Sequence, residues 1–152
     1  MNVYYLDASA LVKCYVDETG SDWMRSVVYE KWSLLFVSRM AIVEVISAFA
    51  RRMHDDALTA EEFAIVRDAF KGDCVAQYHI APPDMSVIDL AVALLKRHPL
   101  RAYDAVHLAT ALRVQQFIAA RGYPSLAFLS ADNRLNRAAF AEGLTVDNPN
   151  EH

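Results

Sequence analysis

The sequence predicts an α/β fold in which a mostly parallel β-sheet is covered by helices on both faces. Short apolar segments with the character of buried strands alternate along the chain with longer segments of helical periodicity. Parallel strands require crossover connections, and helices usually supply them. Of the 152 residues, 55% are hydrophobic and only 4 are glycine and 5 proline, which leaves little room for linkers. We therefore expect residues 1–152 to form a single domain.

The N-terminal half is predicted to contain two strands and four helices. Its first apolar run stops at Asp7, as a buried parallel strand does. The segment Thr59–Glu62 has the Thr-x-x-Glu form of a capping box, which marks a helix start. The predicted order is the strand Val3–Leu6, a helix from Ser9, a helix from Asp22 to about Lys31, the strand Leu34–Val37, a helix from Met40 to Met53 and a helix opened by Thr59.

The C-terminal half is predicted to continue the alternation with three strands and three helices. Prolines and glycines mark the boundaries, since proline cannot continue a helix and glycine favours the position after a helix end. The predicted order is the strand Ala76–Ile80 before Pro82, a helix from Asp84 to about Arg97, a helix from Arg101 to Arg121 before Gly122, the strand Leu126–Leu129, a helix from Asp132 to Glu142 before Gly143, and the strand Leu144–Val146.

The net charge is acidic, at −4 from 15 basic and 19 acidic residues. A protein that binds nucleic acid through bulk electrostatics is usually basic, so any contact with RNA is expected to be local. A set of metal-binding carboxylates would also make the net charge acidic. The net charge is therefore only weak evidence for or against RNA binding. The N-terminus reads as a strand, without a basic leader or an apolar span, and we expect a cytoplasmic protein.

Two acidic residues follow predicted strands. Asp7 comes directly after Val3–Leu6, and Asp132 comes three residues after Leu129. In an open parallel sheet, ligands bind beyond the carboxyl ends of the strands. If these two strands are neighbours, both carboxylates reach the same rim of the sheet. Each residue taken singly also has an ordinary explanation as a helix N-cap.

Two further acids lie in apolar helical segments. Glu44 is the only charged residue in the segment 40–50, so we expect it to be at least partly buried. A buried carboxylate needs an arginine, a proton or a metal ion, because an unpaired one is strongly destabilising. The structural alternative is a salt bridge to Arg39 or Arg101. Asp104 lies near the first turn of the longest predicted helix, where capping or the helix dipole also explains it.

Taken together, four carboxylates without a matching set of histidines or cysteines suit a hard divalent cation such as Mg²⁺ or Mn²⁺. The same set argues against structural zinc, which prefers nitrogen and sulfur ligands. A cation of this kind lowers the pKa of a bound water and neutralises charge on a phosphoryl oxygen, which suits phosphodiester hydrolysis. The spacing alone leaves open whether the four carboxylates meet.

Four segments, in order along essentially the whole chain, resemble those of PIN domains. The segment around Asp104 is the most specific of them, and the small size of the chain points within the family to VapC-like toxins of toxin–antitoxin systems. The segments are Tyr5–Lys13 with Asp7 and Ser9, Ile42–Val45 with Glu44, Tyr103–Ala109 with Asp104, and Leu129–Leu135 with Asp132, followed by Gly143–Val146.

The resemblance implies a three-layer α/β/α sandwich and a Mg²⁺- or Mn²⁺-dependent endoribonuclease. It also implies a homodimer and an antitoxin partner whose C-terminal segment blocks the acidic groove. By position, Asp7 and Asp104 would be the principal metal ligands. Glu44 and Asp132 would complete the site, either directly or through water.

The resemblance also gives expectations for neighbouring polar residues. Ser9 and Ser130 would orient Asp7, Asp132 or a water by hydrogen bonds, a role that is compatible with helix capping. Asn136 lies one turn beyond Asp132, where some family members carry an additional acid. Its amide puts a role as a metal ligand in doubt.

Several basic residues are candidates for a catalytic or RNA-binding role. His107 shares a helical face with Asp104, and we interpret it as a packing or supporting residue rather than a general base, because a metal-bound water needs no imidazole. Lys13 is a candidate for contact with phosphate, against the alternative of an ordinary solvated lysine. Arg39 and Arg51 flank the helix that carries Glu44 and are candidates for contact with the RNA backbone.

Two other functions are considered. A phosphatase of the haloacid-dehalogenase type also places an aspartate after its first strand, but it needs a second carboxylate two residues later, where this chain has Ser9. A PIN-like module that binds RNA or a protein without cutting is the non-enzymatic alternative. The presence of acids at all four positions argues against it.

Overall fold

A five-stranded, wholly parallel sheet forms the centre of the computed structural model, which describes residues 1–152. This confirms the predicted α/β class. The strands are β1 (Asn2–Leu6), β2 (Ser33–Ser38), β3 (His79–Ala81), β4 (Ala127–Leu129) and β5 (Thr145–Asp147), in the spatial order β3-β2-β1-β4-β5.

Seven α-helices connect and cover the strands, and none of them has the length and apolar character needed to span a membrane. The predicted capping box is present, since Thr59 and Glu62 each accept from the other's backbone N–H. The helices are α1 (Ala8–Tyr15), α2 (Ser21–Val28), α3 (Met40–His54), α4 (Ala60–Ala76), α5 (Met85–Arg97), α6 (Ala102–Ala119) and α7 (Asn133–Ala141), followed by a 3₁₀ turn at Pro149–Glu151.

The boundary between α4 and β3 differs from the prediction. The strand was expected to begin at Ala76, but α4 continues to that residue and β3 begins at His79. The backbone N–H of Gln77 still donates to Asp73 O at 2.8 Å, and its side-chain amide donates to Val28 O at 2.6 Å. The last turn of α4 is therefore held by the end of α2, a contact that no local pattern encodes.

The sheet is buried on both faces by two separate apolar clusters. Residues of α5, α6 and α7 pack on one face, and residues of α1 to α4 pack on the other. Tyr5 of β1 stacks on Phe128 of β4 with ring centroids 5.4 Å apart and planes within 5°. Both side chains are 0% exposed, so the central pair of strands is rigidly packed beneath the edge where they end.

The order of the strands creates a topological switch point between β1 and β4. The chain first moves from β1 to β2 on one side, and later returns to place β4 on the other side. Ligand-binding crevices in open α/β sheets lie at such points, beyond the carboxyl ends of the strands. Asp7 lies at this switch point, directly after β1. Its backbone N–H donates to Leu129 O of β4 at 3.1 Å.

Candidate active site

Asp7 is held at this switch point by three hydrogen bonds. Its Oδ1 accepts from Ser9 Oγ at 2.6 Å and from the backbone N–H of Ala10 at 2.9 Å, while its Oδ2 accepts from Ser130 Oγ at 2.6 Å. Asp7 is only 4% exposed, and burial raises its pKa, although His107 and the serine hydroxyls oppose that shift. The carboxylate therefore caps α1 and has a defined orientation.

The two serines join the ends of β1 and β4. Ser9 Oγ accepts from the backbone N–H of Ala131 at 2.9 Å, and Ser130 Oγ accepts from the backbone N–H of Asp132 at 3.0 Å. Each hydroxyl uses its single hydrogen to donate to one oxygen of Asp7. The expected hydrogen bonds from both serines to Asp7 are thus present, and they position the loop that carries Asp132.

Asp132 is the N-cap of α7. Its Oδ1 accepts from the backbone N–H groups of Arg134 and Leu135 at 2.8 and 3.2 Å, while its Oδ2 accepts no hydrogen bond. One turn further on, the buried amide of Asn136 donates to Ser130 O at 2.8 Å. The Oδ1 of Asn136 is buried without a hydrogen-bond donor. Asn136 therefore braces the loop after β4 and retains one unpaired acceptor.

Glu44 is paired with a histidine and not with an arginine. His107 Nε2 lies 2.6 Å from Glu44 Oε1, so the alternative of a salt bridge from Glu44 to Arg39 or Arg101 is wrong. On the other side of the ring, His107 Nδ1 lies 2.9 Å from the hydroxyl of Tyr5. Burial alone would lower the pKa of His107, but the hydrogen bond and charge of Glu44 raise it overall. The one feature of the sequence that pointed to His107 as a neighbour of the acids was that it shares a helical face with Asp104.

Asp104 is the one acid of the four whose carboxylate has no partner in the protein. It is partly buried in the first turn of α6, and its carboxylate has neither a hydrogen bond nor an ion pair. Burial raises its pKa, and the negative charges of Asp132, Asp7 and Glu44 raise it further, with His107 opposing them. Asp104 therefore experiences the negative charges of the other three acids.

The carboxylates fit a hard cation by their chemistry, although they do not form a closed cage. Asp104 offers two unengaged oxygens, while Glu44 and Asp132 each keep one that accepts no hydrogen bond. Oxygen ligands of this kind suit Mg²⁺ or Mn²⁺, which retain several waters. No three Asp, Glu, His or Cys side chains are grouped closely enough to hold a metal ion as they stand.

The predicted RNA-binding cations differ in their surroundings. Lys13 is 4% exposed, and its ammonium donates to Thr19 O at 2.7 Å and to Glu18 Oε1 at 3.0 Å. The interpretation of Lys13 as a solvated lysine is therefore wrong, and this internal pairing leaves no exposed ammonium for a phosphate. Arg39 and Arg51 are exposed and form no ion pair, so both are open to a polyanion.

Comparison with known proteins agrees with this architecture. The family model described as PIN domain matches residues 4–141. Ribonuclease VapC45 of Mycobacterium tuberculosis (strain CDC 1551 / Oshkosh) is 35% identical over 146 residues, which cover 96% of this chain and 95% of that protein.

Solved structures show the same fold at low identity. FitAcB from Neisseria gonorrhoeae superimposes with a TM-score of 0.67 at 16% identity, covering 97% of both chains. A toxin-antitoxin complex from Klebsiella pneumoniae gives a TM-score of 0.60 at 16% identity, covering 96% of this chain and 97% of that one. Because the PIN domain model matches most of the length of this chain, the chain belongs to the PIN domain family.

Proposed function

We propose that the protein is a metal-dependent endoribonuclease that hydrolyses RNA phosphodiester bonds. The observation that carries this proposal is the acidic site at the switch point, in which Asp104 lacks any protein partner and is repelled by three other carboxylates. A divalent cation is the natural counter-charge for such a set. The relatives named ribonuclease support RNA as the substrate.

In this proposal, Asp7 and Asp104 are the principal ligands, and Glu44 and Asp132 complete the site directly or through water. When bound, Mg²⁺ or Mn²⁺ would activate water for attack and neutralise charge on the phosphodiester. The chain's own contribution is to hold Asp7 in one orientation through Ser9 and two other donors. Water would form a new bond to phosphorus while the bond to the leaving oxygen breaks and that oxygen takes up a proton, without a covalent enzyme intermediate.

Contacts with RNA and partner proteins form the second part of the proposal. Arg39 and Arg51 are exposed at the two ends of α3, the helix that carries Glu44, and can contact the RNA backbone from there. We propose that the protein acts in the cytoplasm as the toxin of a toxin–antitoxin pair, as a homodimer held inactive by its antitoxin. The ribonuclease VapC relative and the likeness in fold to a toxin-antitoxin complex support the toxin role and the antitoxin partner within this proposal.

The test is cleavage of a mixed pool of structured RNAs by purified, antitoxin-free protein. Reactions with Mg²⁺, with Mn²⁺ and with EDTA are run beside the variant Asp7→Asn. We expect discrete cuts that require metal and are absent in the variant. Cleavage that persists at full rate in EDTA, or in Asp7→Asn, would show that the assigned site is wrong.

The second candidate is a PIN-like module that binds RNA or a protein without cutting it. It is favoured by the fact that no three potential ligands are closely grouped as the structure stands. Calorimetric titration with Mn²⁺ separates the two candidates. Saturable binding that is lost in Asp104→Asn supports the nuclease, whereas a folded protein that binds no divalent cation supports the binding module.

A further inference from the structure

The imidazole of His107 links the packed centre of the fold to the acidic site. The ring is 1% exposed and lies between Tyr5 of β1 and Glu44 of α3. Its Nδ1 is 2.9 Å from the Tyr5 hydroxyl and its Nε2 is 2.6 Å from Glu44 Oε1. Three elements that are distant in sequence are thereby joined by a chain of two hydrogen bonds.

The chemistry of the end groups gives this chain a direction. An ionised carboxylate can only accept, so His107 Nε2 carries a hydrogen and donates it to Glu44. Nδ1 accepts from the Tyr5 hydroxyl when the ring is neutral and donates to it when the ring is protonated, so this hydrogen bond is present in both states. Tyr5 cannot swing away, because its ring is fully buried and stacked on Phe128. The orientation of His107 is therefore set from within the core.

We propose that Tyr5 and His107 are positioning residues that hold Glu44 for cation binding. The chain engages Oε1 of Glu44 and leaves Oε2 without a hydrogen bond, available to a cation or to its water. This inference rests on the proposed metal-dependent function. The arrangement is analogous to the two serines that fix Asp7, because outer hydrogen-bond partners orient ligands and tune their affinity.

One helix would then serve the site in two ways. Asp104 and His107 are three residues apart on α6 and share a face. Asp104 would bind the cation itself, while His107 would act only through Glu44. Substitution of His107 should therefore weaken cation binding in a way that depends on Glu44.

The experiment is calorimetric titration of the full chain with Mn²⁺ and with Mg²⁺, in the absence of RNA. We expect His107→Leu to weaken cation affinity by about 10–100-fold, the usual effect of losing an outer hydrogen-bond partner. His107→Gln retains an N–H donor and should stay within about threefold of the wild type. Tyr5→Phe removes only the hydroxyl that holds the ring, and should weaken affinity by about 3–10-fold.

Two matched substitutions control for the residue types. Tyr4→Phe removes a hydroxyl of the same strand that donates to Glu30 at 3.2 Å, and His98→Gln alters a histidine that pairs with Glu142 at 2.7 Å. Both lie outside the site, and both should leave cation affinity unchanged. Circular dichroism establishes that each variant is folded. If His107→Leu does not fold, Tyr5→Phe still decides the question.

A double substitution separates positioning from general damage. If His107 acts through Glu44, adding His107→Leu to Glu44→Gln should cause no further loss of affinity. Losses that multiply in the double variant would overturn the inference, because His107 would then act independently.

The remaining outcomes separate this inference from the proposed function. Wild-type affinity in both His107→Leu and Tyr5→Phe, beside a wild type that binds Mn²⁺, overturns the positioning role alone. Absence of cation binding by the folded wild type overturns the proposed metal site, and the inference with it. Weak binding by His107→Leu together with near-normal binding by His107→Gln supports the inference.

Discussion

Replacement of Asp104 by asparagine is expected to stabilise the fold while abolishing RNA cleavage. The carboxylate has no hydrogen bond or ion pair, so the amide removes a charge without breaking a contact. Burial and three neighbouring carboxylates raise the pKa of Asp104 in the folded state. The folded chain therefore holds this proton more tightly than the unfolded chain does, so the fold loses stability as the pH rises from the unfolded pKa of Asp104 through its folded pKa.

The size of the stabilisation follows from the partial exposure of the site. Solvent screens interactions between exposed charges, so we take the lower part of the usual range for relief of charge repulsion, about 0.5–1 kcal/mol. For a chain of this length, each kcal/mol shifts the melting temperature by about 2–4 °C. We therefore expect Asp104→Asn to melt about 1–4 °C above the wild type at neutral pH in EDTA. High salt should reduce the difference.

The assay combines thermal unfolding with cleavage of the RNA pool. Asp89→Asn is the matched control, because Asp89 is exposed on α5 without an ion pair and its neutralisation should change neither property. Added Mn²⁺ should raise the melting temperature of the wild type and not that of Asp104→Asn. If Asp104→Asn melts below the wild type in EDTA, the carboxylates do not repel one another and the argument fails.

Three further substitutions test other parts of the structure by denaturant unfolding. Ser130→Ala removes a fully buried hydroxyl that donates to Asp7 and accepts a backbone N–H, so it should cost about 2–4 kcal/mol. Gly20→Ala should cost at least about 1–2 kcal/mol, because φ is +84° and the new Cβ would meet the C-terminal 3₁₀ turn. Glu142→Gln should lower the free energy of unfolding by about 0.5–1 kcal/mol at neutral pH, because the hydrogen bond from Arg97 lowers the pKa of Glu142. This stabilisation disappears as the pH falls through the folded pKa of Glu142.

The serine and glycine substitutions each have a matched control, and the glutamate substitution is checked by its pH dependence. Ser47→Ala, on the exposed side of α3, should have almost no effect on stability, in contrast to Ser130→Ala. Gly72→Ala should stabilise the chain by about 1 kcal/mol, because Gly72 is helical with open space around it. A Glu142→Gln deficit that stays constant from pH 7 to about pH 3 would contradict the assigned linkage. Equal stability of Gly20→Ala and wild type would contradict the contact with the C-terminal turn.

Local sequence patterns predicted the order and type of the elements well, because strand periodicity, caps and helix breakers act over a few residues. The capping box at Thr59 is an example. The same patterns failed at the end of α4, where a side-chain hydrogen bond from Gln77 to α2 extends the helix. They also misjudged Lys13, which is buried because the segment after α1 folds back to pair with it.

The side chains that are available to the site can be identified from the amino-acid sequence alone. Asp7 and Asp132 follow strands, and Glu44 and Asp104 lie in apolar helices, so four carboxylates with few local partners can be read from the chain. The family resemblance carried by these segments added the expectation of a common site. The positions of these four acids within helices and strands depend on interactions between residues that are close in sequence.

The hydrogen bonds that hold these side chains in place depend on the folded arrangement of strands and helices. Placing β4 beside β1 brings Ser130 to Asp7 across 123 positions of sequence, and the arrangement of α6 and α3 on opposite faces of the sheet brings His107 to Glu44 across 63. Hydrogen bonds over such separations depend on the order of the strands and on the packing of both sheet faces. No periodicity within a single segment encodes them, because each partner satisfies only its own local pattern until the chain has folded.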